Sequence, residues 1–240
     1  MYTDIHSHII PDVDDGPKTL EESLELIENS AANGTENIVA TPHFYASRHN
    51  LNDWLEVVNR QFALLKDAAE NKIPNVKLYL GAEVRYFNGI SACNELDFFC
   101  FENTHVLLLE LDYLPISEKT VEEIEELYYR GYTVVLAHIE RYYKLKGFSK
   151  LKPLILSKRV KIQINASSFF ESAFSKIAVK LIKKNMVDYI AGDMHSVEQR
   201  PSKLKEAYEC IEKKFGKVRC TKLIQNSFNL IGIEEKYFNI

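Results

Sequence analysis

An α/β fold in which seven parallel strands curl into a closed or nearly closed barrel is what this 240-residue sequence predicts. Three observations carry that expectation. Short β-branched or apolar runs alternate with longer segments of helical spacing, which is the βαβ signature of a parallel sheet. No Gly/Pro/Ser-rich linker interrupts the alternation, so residues 1–240 read as a single domain. Imidazoles and carboxylates recur just after the apolar runs, where the loops of such a fold converge. An open doubly wound sheet would satisfy the first two observations equally.

The seven strands are expected near 3–6, 36–41, 76–82, 105–111, 132–137, 160–164 and 187–191. Between the first two lies a helix that Thr19 can cap, with Glu22 placed to complete a capping box. Leu20, Leu24, Ile27 and Ala31 share one face of it, and Gly34 ends it. A second helix covers 52–71 before Pro74. A third covers 118–130 before Gly131, where Thr120 and Glu123 repeat the capping pattern. Others are expected over 149–158, 173–185 and 202–215, and 217–231 reads as helical at first and irregular later. The aromatic stretch 84–104 has no clear period and is expected to run irregularly over the mouth or side of the barrel.

With 46% hydrophobic and 27% charged residues the chain can bury an ordinary globular core. A formal net charge of -4 gives no overall field to draw nucleic acid or anionic lipid, so any phosphate recognition has to be local. No leader-like segment and no bilayer-length apolar run is visible, and a cytoplasmic location without membrane insertion is expected. Cys93, Cys100, Cys210 and Cys220 form no C-x-x-C pair, and none is followed shortly by the arginine that a thiolate phosphatase loop requires. Sulfur is thereby excluded as a phosphatase nucleophile.

At the expected strand ends stand His6 and His8 on the first, His43 on the second, Glu83 on the third, Glu110 on the fourth, His138 on the fifth, and Asp193 and His195 on the seventh. The sixth offers only Asn165. Of the 7 histidines only His49 and His105 lie elsewhere. Each residue alone has an ordinary structural explanation. Together, buried without a cation, they would leave several charges and polar groups unsatisfied. In Asp4-Ile5-His6-Ser7-His8 the alternation of an extended strand lets both imidazoles point the same way and share one ion, and Asp193-Met194-His195 repeats that geometry. Asp15, followed by Gly16, is a further candidate on the first loop, with Asp14 the alternative.

Nitrogen and oxygen donors without thiolate suit Mn, Fe, Zn or Mg. The candidate ligands are too many for one ion. Two ions about 3.5–4 Å apart can hold a hydroxide between them, with Glu83 the natural bridge and a third ion completing a phosphate clamp. Arg141, shortly after His138, and Arg200, shortly after His195, stand on ligand-bearing loops, where a guanidinium fork matches two phosphate oxygens.

These blocks resemble the PHP (polymerase and histidinol phosphatase) superfamily, and within it the bacterial capsule- and exopolysaccharide-associated protein tyrosine phosphatases. The likeness rests on six ordered blocks: Asp4-Ile5-His6-Ser7-His8-Ile9-Ile10-Pro11, Val13-Asp14-Asp15-Gly16-Pro17-Lys18-Thr19, Ile38-Val39-Ala40-Thr41-Pro42-His43, Gly81-Ala82-Glu83, Ala137-His138-Ile139-Glu140-Arg141-Tyr142, and Asp193-Met194-His195 with Arg200-Pro201. The resemblance implies a distorted (β/α)7 barrel, the PHP fold, holding three divalent metal ions, manganese or iron ahead of magnesium or zinc. It implies that His6 and His8 bind one ion together with Asp193. Glu83 would bridge it to a second ion held also by Glu110 and His138, and Asp15, His43 and His195 would hold the third. Arg141 and Arg200 correspond to phosphate-binding arginines, so these two and Glu83 are the residues expected to carry catalysis.

The implied reaction is hydrolysis of a phosphotyrosyl ester by metal-bound hydroxide. A phenolate, with a parent pKa of about 10, leaves without demanding a strong general acid. The implied substrate is the tyrosine-rich C-terminal tail of a bacterial tyrosine kinase that controls polysaccharide export. The nearest rival is a superfamily member acting on a small phosphate monoester such as histidinol phosphate. A second rival is a metal-dependent nuclease or amidohydrolase, whose barrels also open with H-x-H. Those draw ligands from later strands and often a bridging modified lysine, neither of which can be placed here. A non-catalytic metal-binding protein would be expected to lack a ligand or an arginine, and here the set is full.

Overall fold

The computed structural model describes residues 1–232, so residues 233–240 of the expected 1–240 domain lie outside the described residues. The strands are β1 (Tyr2–Ser7), β2 (Thr35–Ala40), β3 (His43–Phe44), β4 (Lys77–Leu80), β5 (Glu83–Arg85), β6 (Val106–Glu110), β7 (Thr133–Leu136), β8 (Lys161–Asn165) and β9 (Tyr189–Ala191). They occupy the seven expected positions because the second and third are each broken in two. Every pairing is parallel, in the orders β1-β2-β4 and β3-β5-β6-β7-β8-β9. Since β3 continues β2 and β5 continues β4, the two sheets run into each other. The seam closes between β9 and β1: Ser7 bridges Met194, Asp193 N–H donates to the His6 carbonyl at 2.8 Å, and His8 N–H to the Met194 carbonyl at 2.9 Å. The sheet is a ring, not an open doubly wound layer.

Both breaks have local causes. After β2 comes Pro42, which has no N–H to give a ladder, although its carbonyl still accepts from Glu83 N–H at 3.1 Å. After β4, Gly81 lies so close under the Phe101 ring that a Cβ there would stand 2.5 Å from it. The strand therefore bends where only glycine fits.

Alternate side chains along the strands meet two surroundings, as the pleat requires. Leu107, Leu109, Val134, Leu136, Ile162 and Ile164 join the main core shared with the helices. Val106, Leu108, Val135, Tyr189 and Ala191 join Ile5, Val39 and Phe101 in a smaller cluster that fills the barrel. On β8 the inward position is taken by Gln163, which is fully buried. The inside of the barrel is thus apolar at depth and polar toward the carboxyl ends.

The helices are α1 (Leu20–Ala32), α2 (Leu51–Lys72), α3 (Glu118–Tyr129), α4 (Lys152–Leu156), α5 (Ser175–Lys183), α6 (Leu204–Phe215) and α7 (Lys217–Leu230). Thr19 caps α1, its hydroxyl accepting from Glu22 N–H at 3.2 Å, and Glu22 reaches back to Lys18 N–H at 2.6 Å, one residue earlier than a capping box would have it. The expected helix over 149–158 is instead a 3₁₀ turn, Phe148–Leu151, followed by the short α4 with proline in its first turn. α7 stays helical through Leu230, further than its sequence pattern suggests. Among the described residues no helix is long and apolar enough to cross a membrane.

The cap of α3 differs from expectation. Ser117, not Thr120, is the capping residue, accepting from Thr120 N–H at 3.0 Å. Glu123 is engaged elsewhere, buried and accepting from the Tyr86 hydroxyl at 2.6 Å and Gly89 N–H at 2.8 Å. It thereby pins the 84–104 excursion, whose Phe99 packs against Phe44 and Trp54 along the side of the barrel. Glu123→Ala leaves the buried Tyr86 hydroxyl and the half-buried Gly89 N–H without this acceptor and is expected to lower unfolding stability by about 1–3 kcal/mol. Urea denaturation midpoints check this, and an unchanged midpoint would show that the excursion holds without the tie.

Candidate metal centre

β1 delivers His6 and, just past its end, His8 into the mouth of the barrel. Their Nε2 atoms face each other at 3.2 Å. Each also lies 3.4 Å from Glu83 Oε2 and 3.5 Å from Asp193 Oδ1. Four donors bound tetrahedrally about 2.1 Å from one ion stand about 3.4 Å apart. The two imidazoles hold that spacing to each other and to each of the two carboxylates.

Glu83, the first residue of β5, is shared further. Its Oε1 is 2.8 Å from His138 Nε2 and its Oε2 is 2.9 Å from His43 Nδ1. Glu110, which ends β6, stands 3.8 Å from His138 Nε2. On the other side Asp15 Oδ1 is 3.2 Å from His195 Nε2 and 3.5 Å from His43 Nε2. Donor atoms mutually within 4.8 Å form three groups: His6, His8 and Asp193; His43, Glu83 and Glu110; and His8, Asp15, His43 and His195. All the candidate ligands therefore converge on one mouth. Compared with the grouping that the resemblance implied, His43 stands with Glu83 and Glu110 as well as with Asp15 and His195, His8 is likewise common to two groups, and His138 joins none of the three.

Divalent first-row ions fit this donor set on a direct test. His43 Nδ1 and His195 Nε2 are buried and make no aligned hydrogen bond, and Glu110 Oε2 faces only the Arg85 guanidinium. Orphaned lone pairs of imidazole aimed into one cluster are what such a cation satisfies. Two of the residues also hold unusual backbone: His138 has φ 31° and Asp193 φ 50°, left-handed conformations that cost a non-glycine residue about 1 kcal/mol or more. Each is held there by a specific bond, His138 N–H to Gln163 Oε1 at 2.7 Å and Asp193 N–H to the His6 carbonyl.

A layer of buried polar groups aims the ligands. Asp14 takes His8 Nδ1 at 2.6 Å and also accepts from the His43 backbone N–H at 3.1 Å, so it orients one imidazole and anchors the backbone of another while its neighbour Asp15 enters the cluster. His195 Nδ1 is held by the Asp193 carbonyl at 2.9 Å, and Gln163 Oε1 lies 3.3 Å from His6 Nδ1. Fixing one ring nitrogen in this way turns the other toward a metal. Behind them Asp4 accepts from Gly192 N–H at 2.8 Å and His6 N–H at 3.3 Å. A side chain at Gly192 would overlap that carboxylate, which explains glycine there.

Charge in the cluster is strongly interdependent. Burial opposes ionisation of Glu83, yet His6, His138 and His43 outweigh it and hold its carboxyl well below the usual range. Burial, together with the neighbouring Glu83 carboxylate, pushes Glu110 up to about 7. Burial and Arg141 bring the His138 imidazole down to about 4, and His195 beside it lowers the more exposed Asp15 to about 2. Cations in the mouth would let every carboxylate ionise at once.

The two singled-out arginines meet on one atom. Arg141 Nη2 is 2.7 Å and Arg200 Nη2 2.9 Å from Asp193 Oδ2, the oxygen turned away from the histidine pair. Asn165 Nδ2 donates to the same oxygen at 2.5 Å. A cavity of about 260 Å³ opens beside both guanidinium groups. A larger one of about 540 Å³, on the other side of Arg200, is walled by Asp15, Glu22, Glu25 and Glu198. The arginine side, not the roomier acidic side, has the charge to receive a phosphate.

The family model for capsular polysaccharide synthesis, CpsB/CapC, matches residues 2–232. The chain belongs to the CpsB/CapC family. It is 33% identical over 238 residues to the tyrosine-protein phosphatase CpsB of Streptococcus agalactiae serotype III (strain NEM316), covering 95% of this chain and 97% of that protein. It is 26% identical over 217 residues to the tyrosine-protein phosphatase YwqE of Bacillus subtilis (strain 168), covering 89% and 85%. A chain from the crystal structures of YwqE from Bacillus subtilis and CpsB from Streptococcus pneumoniae, described as unique metal-dependent tyrosine phosphatases, superposes with a TM-score of 0.85 at 23% identity, covering 97% and 95%. The curled parallel sheet of this chain is the fold of that YwqE/CpsB structure.

Several supporting residues of this CpsB/CapC barrel escape a reading of the sequence. Asp4, Gln163 and Arg85 do not stand out there as site residues, and Asn165 stands there only as a weak strand-end residue, although Arg85 Nε lies 2.9 Å from Glu110 Oε2 and Asp4, Gln163 and Asn165 anchor ligands. A signal exists: Asp4 is two residues before His6, Arg85 two after Glu83, and Gln163 two before Asn165. On a strand that spacing puts them on the ligands' own face.

Proposed function

We propose that this CpsB/CapC protein is a metal-dependent tyrosine phosphatase, acting in the cytoplasm on phosphotyrosine in the C-terminal tail of a bacterial tyrosine kinase that controls capsular or exopolysaccharide synthesis. The single observation that carries the reading is the meeting of His6 and His8, 3.2 Å apart, with Glu83 and Asp193 beside two guanidinium groups. Close relatives named as tyrosine phosphatases supply the substrate class. Divalent ions, three in this reading and manganese first among them, would when bound lower the pKa of water and offset the charge of the phosphoryl oxygens.

The chain's own residues do the rest. His6, His8, Glu83 and Asp193 would hold one ion, Glu83 with Glu110 and His138 a second, and Asp15, His43 and His195 a third. Arg141 and Arg200 bind the phosphate oxygens, and the shared Asp193 Oδ2 fixes the direction of both forks before substrate arrives. Because the tyrosyl oxygen leaves as a phenolate, no buried acid has to be placed beside it.

Protein stripped with a chelator is expected to lose at least about 100-fold of its phosphate release from a phosphotyrosine peptide and to recover it on addition of Mn²⁺. Histidinol phosphate, assayed alongside, is expected to be the poorer substrate. A clear preference for it would replace the protein substrate with a small metabolite, and activity indifferent to chelation would overturn the metal assignment.

A further inference from the structure

Glu140 and Phe170 are left unexplained by the ligand and arginine sets. Glu140 is buried beside Arg141 but turned away from it, accepting from Asn165 N–H at 3.0 Å and from the Ser168 hydroxyl at 2.5 Å. It ties the 3₁₀ turn Ala166–Phe169, which leaves β8, to the loop that carries Arg141. Phe169 anchors the turn in the core. Phe170, next to it, is turned outward with half of its surface exposed.

Exposure alone is ordinary for an apolar side chain. The place is not. Phe170 lines the 260 Å³ cavity whose wall also contains Arg141, Asp193 and Arg200. Lys203 Nζ lies 5.7 Å from its ring centroid, within cation–π range, which restrains the ring. The acidic cavity across Arg200 is lined by no Phe, Tyr or Trp.

We propose that Phe170 is the wall that recognises the aromatic ring of the substrate, selecting aryl over alkyl phosphate monoesters at the mouth of the barrel. This rests on the phosphotyrosine reading above. A monoester whose phosphate is gripped by Arg141 and Arg200 has to project its organic group away from the metal ligands, and the 260 Å³ cavity adjoins both guanidinium groups. A phenyl ring there meets Phe170 in an offset or edge contact. A phosphoseryl group has no ring to offer, and gains nothing from it. The Glu140 tie keeps the wall and Arg141 in fixed relation, so the distance from phosphate to ring is read as one unit.

The test compares wild type, Phe170→Ala and Phe170→Tyr with Mn²⁺ bound, on phosphotyrosine and phosphoserine, and measures the Kd of a non-hydrolysable phosphonomethyl-phenylalanine peptide. Phe170→Ala is expected to raise KM for phosphotyrosine and the peptide Kd about three- to tenfold, with kcat and the phosphoserine rate unchanged. Phe170→Tyr is expected to restore both. An unchanged ratio of aryl to alkyl turnover in Phe170→Ala overturns the inference while leaving the phosphatase reading in place, as does an equal loss on both substrates. A wild type inert toward phosphotyrosine but active on small phosphates overturns the underlying reading, and this inference with it.

Discussion

Glu83→Ala is expected to abolish phosphotyrosine turnover, by at least about 10³-fold, and to deplete more than one metal position at once. No other carboxylate in the mouth touches so many imidazoles: its two oxygens lie within 3.4 Å of His6, His8, His43 and His138. Removing the carboxylate would deprive neighbouring ions of a common ligand and leave His43 and His138 without their nearest anion, with Asp193 the remaining carboxylate beside the Nε2 atoms of His6 and His8. Elemental analysis of protein purified without chelator, set beside the turnover rate, checks both halves. Full metal content with lost activity would make Glu83 a reacting group in place of a bridge. Normal rates would dismantle the assignment.

Arg141→Ala is expected to give the opposite signature, with metal content kept and kcat/KM reduced about 10²- to 10³-fold. The metal survives because Arg200 and Asn165 still hold Asp193 Oδ2 at 2.9 and 2.5 Å, so the ligand keeps its aim. What disappears is a donor fork directed at the phosphoryl oxygens. Arg141→Lys is expected to recover little, since an ammonium cannot make two parallel bonds. A variant that loses metal together with activity would show that Arg141 serves Asp193 and not the substrate.

Much of this arrangement is legible in the sequence because parallel barrels collect their loops at one end. Seven apolar runs mark seven strand positions, and the residues that follow them have to meet. Asp15 and Asp14 cannot be separated from spacing alone, since both follow the first strand on the same turn; the folded loop sends one into the cluster and sets the other behind His8. The splitting of the second and third strands turns on tertiary detail, the Phe101 ring pressed on Gly81 and the missing N–H of Pro42. The cap of α3 departs from its sequence pattern for a similar reason. Ser117 and Thr120 both carry hydroxyls, and Glu123 looks like a capping partner only while its real partners, Tyr86 and Gly89, are hidden by distance along the chain. Gln163 reads as an ordinary polar residue of an alternating strand until the barrel closes around it.

The seam of the ring has a consequence for how the protein holds together. Few backbone bonds join β1 to the segment after β9, yet His6 and His8 stand on one lip and Asp193 and His195 on the other. Any cation they share is a clasp between the two ends of the polymer, closing a loop that spans most of its length. Cross-links over long loops remove the most freedom from the unfolded chain. Heat resistance in this protein should therefore follow metal supply, and the first strand should be the stave that loosens when the clasp is withdrawn.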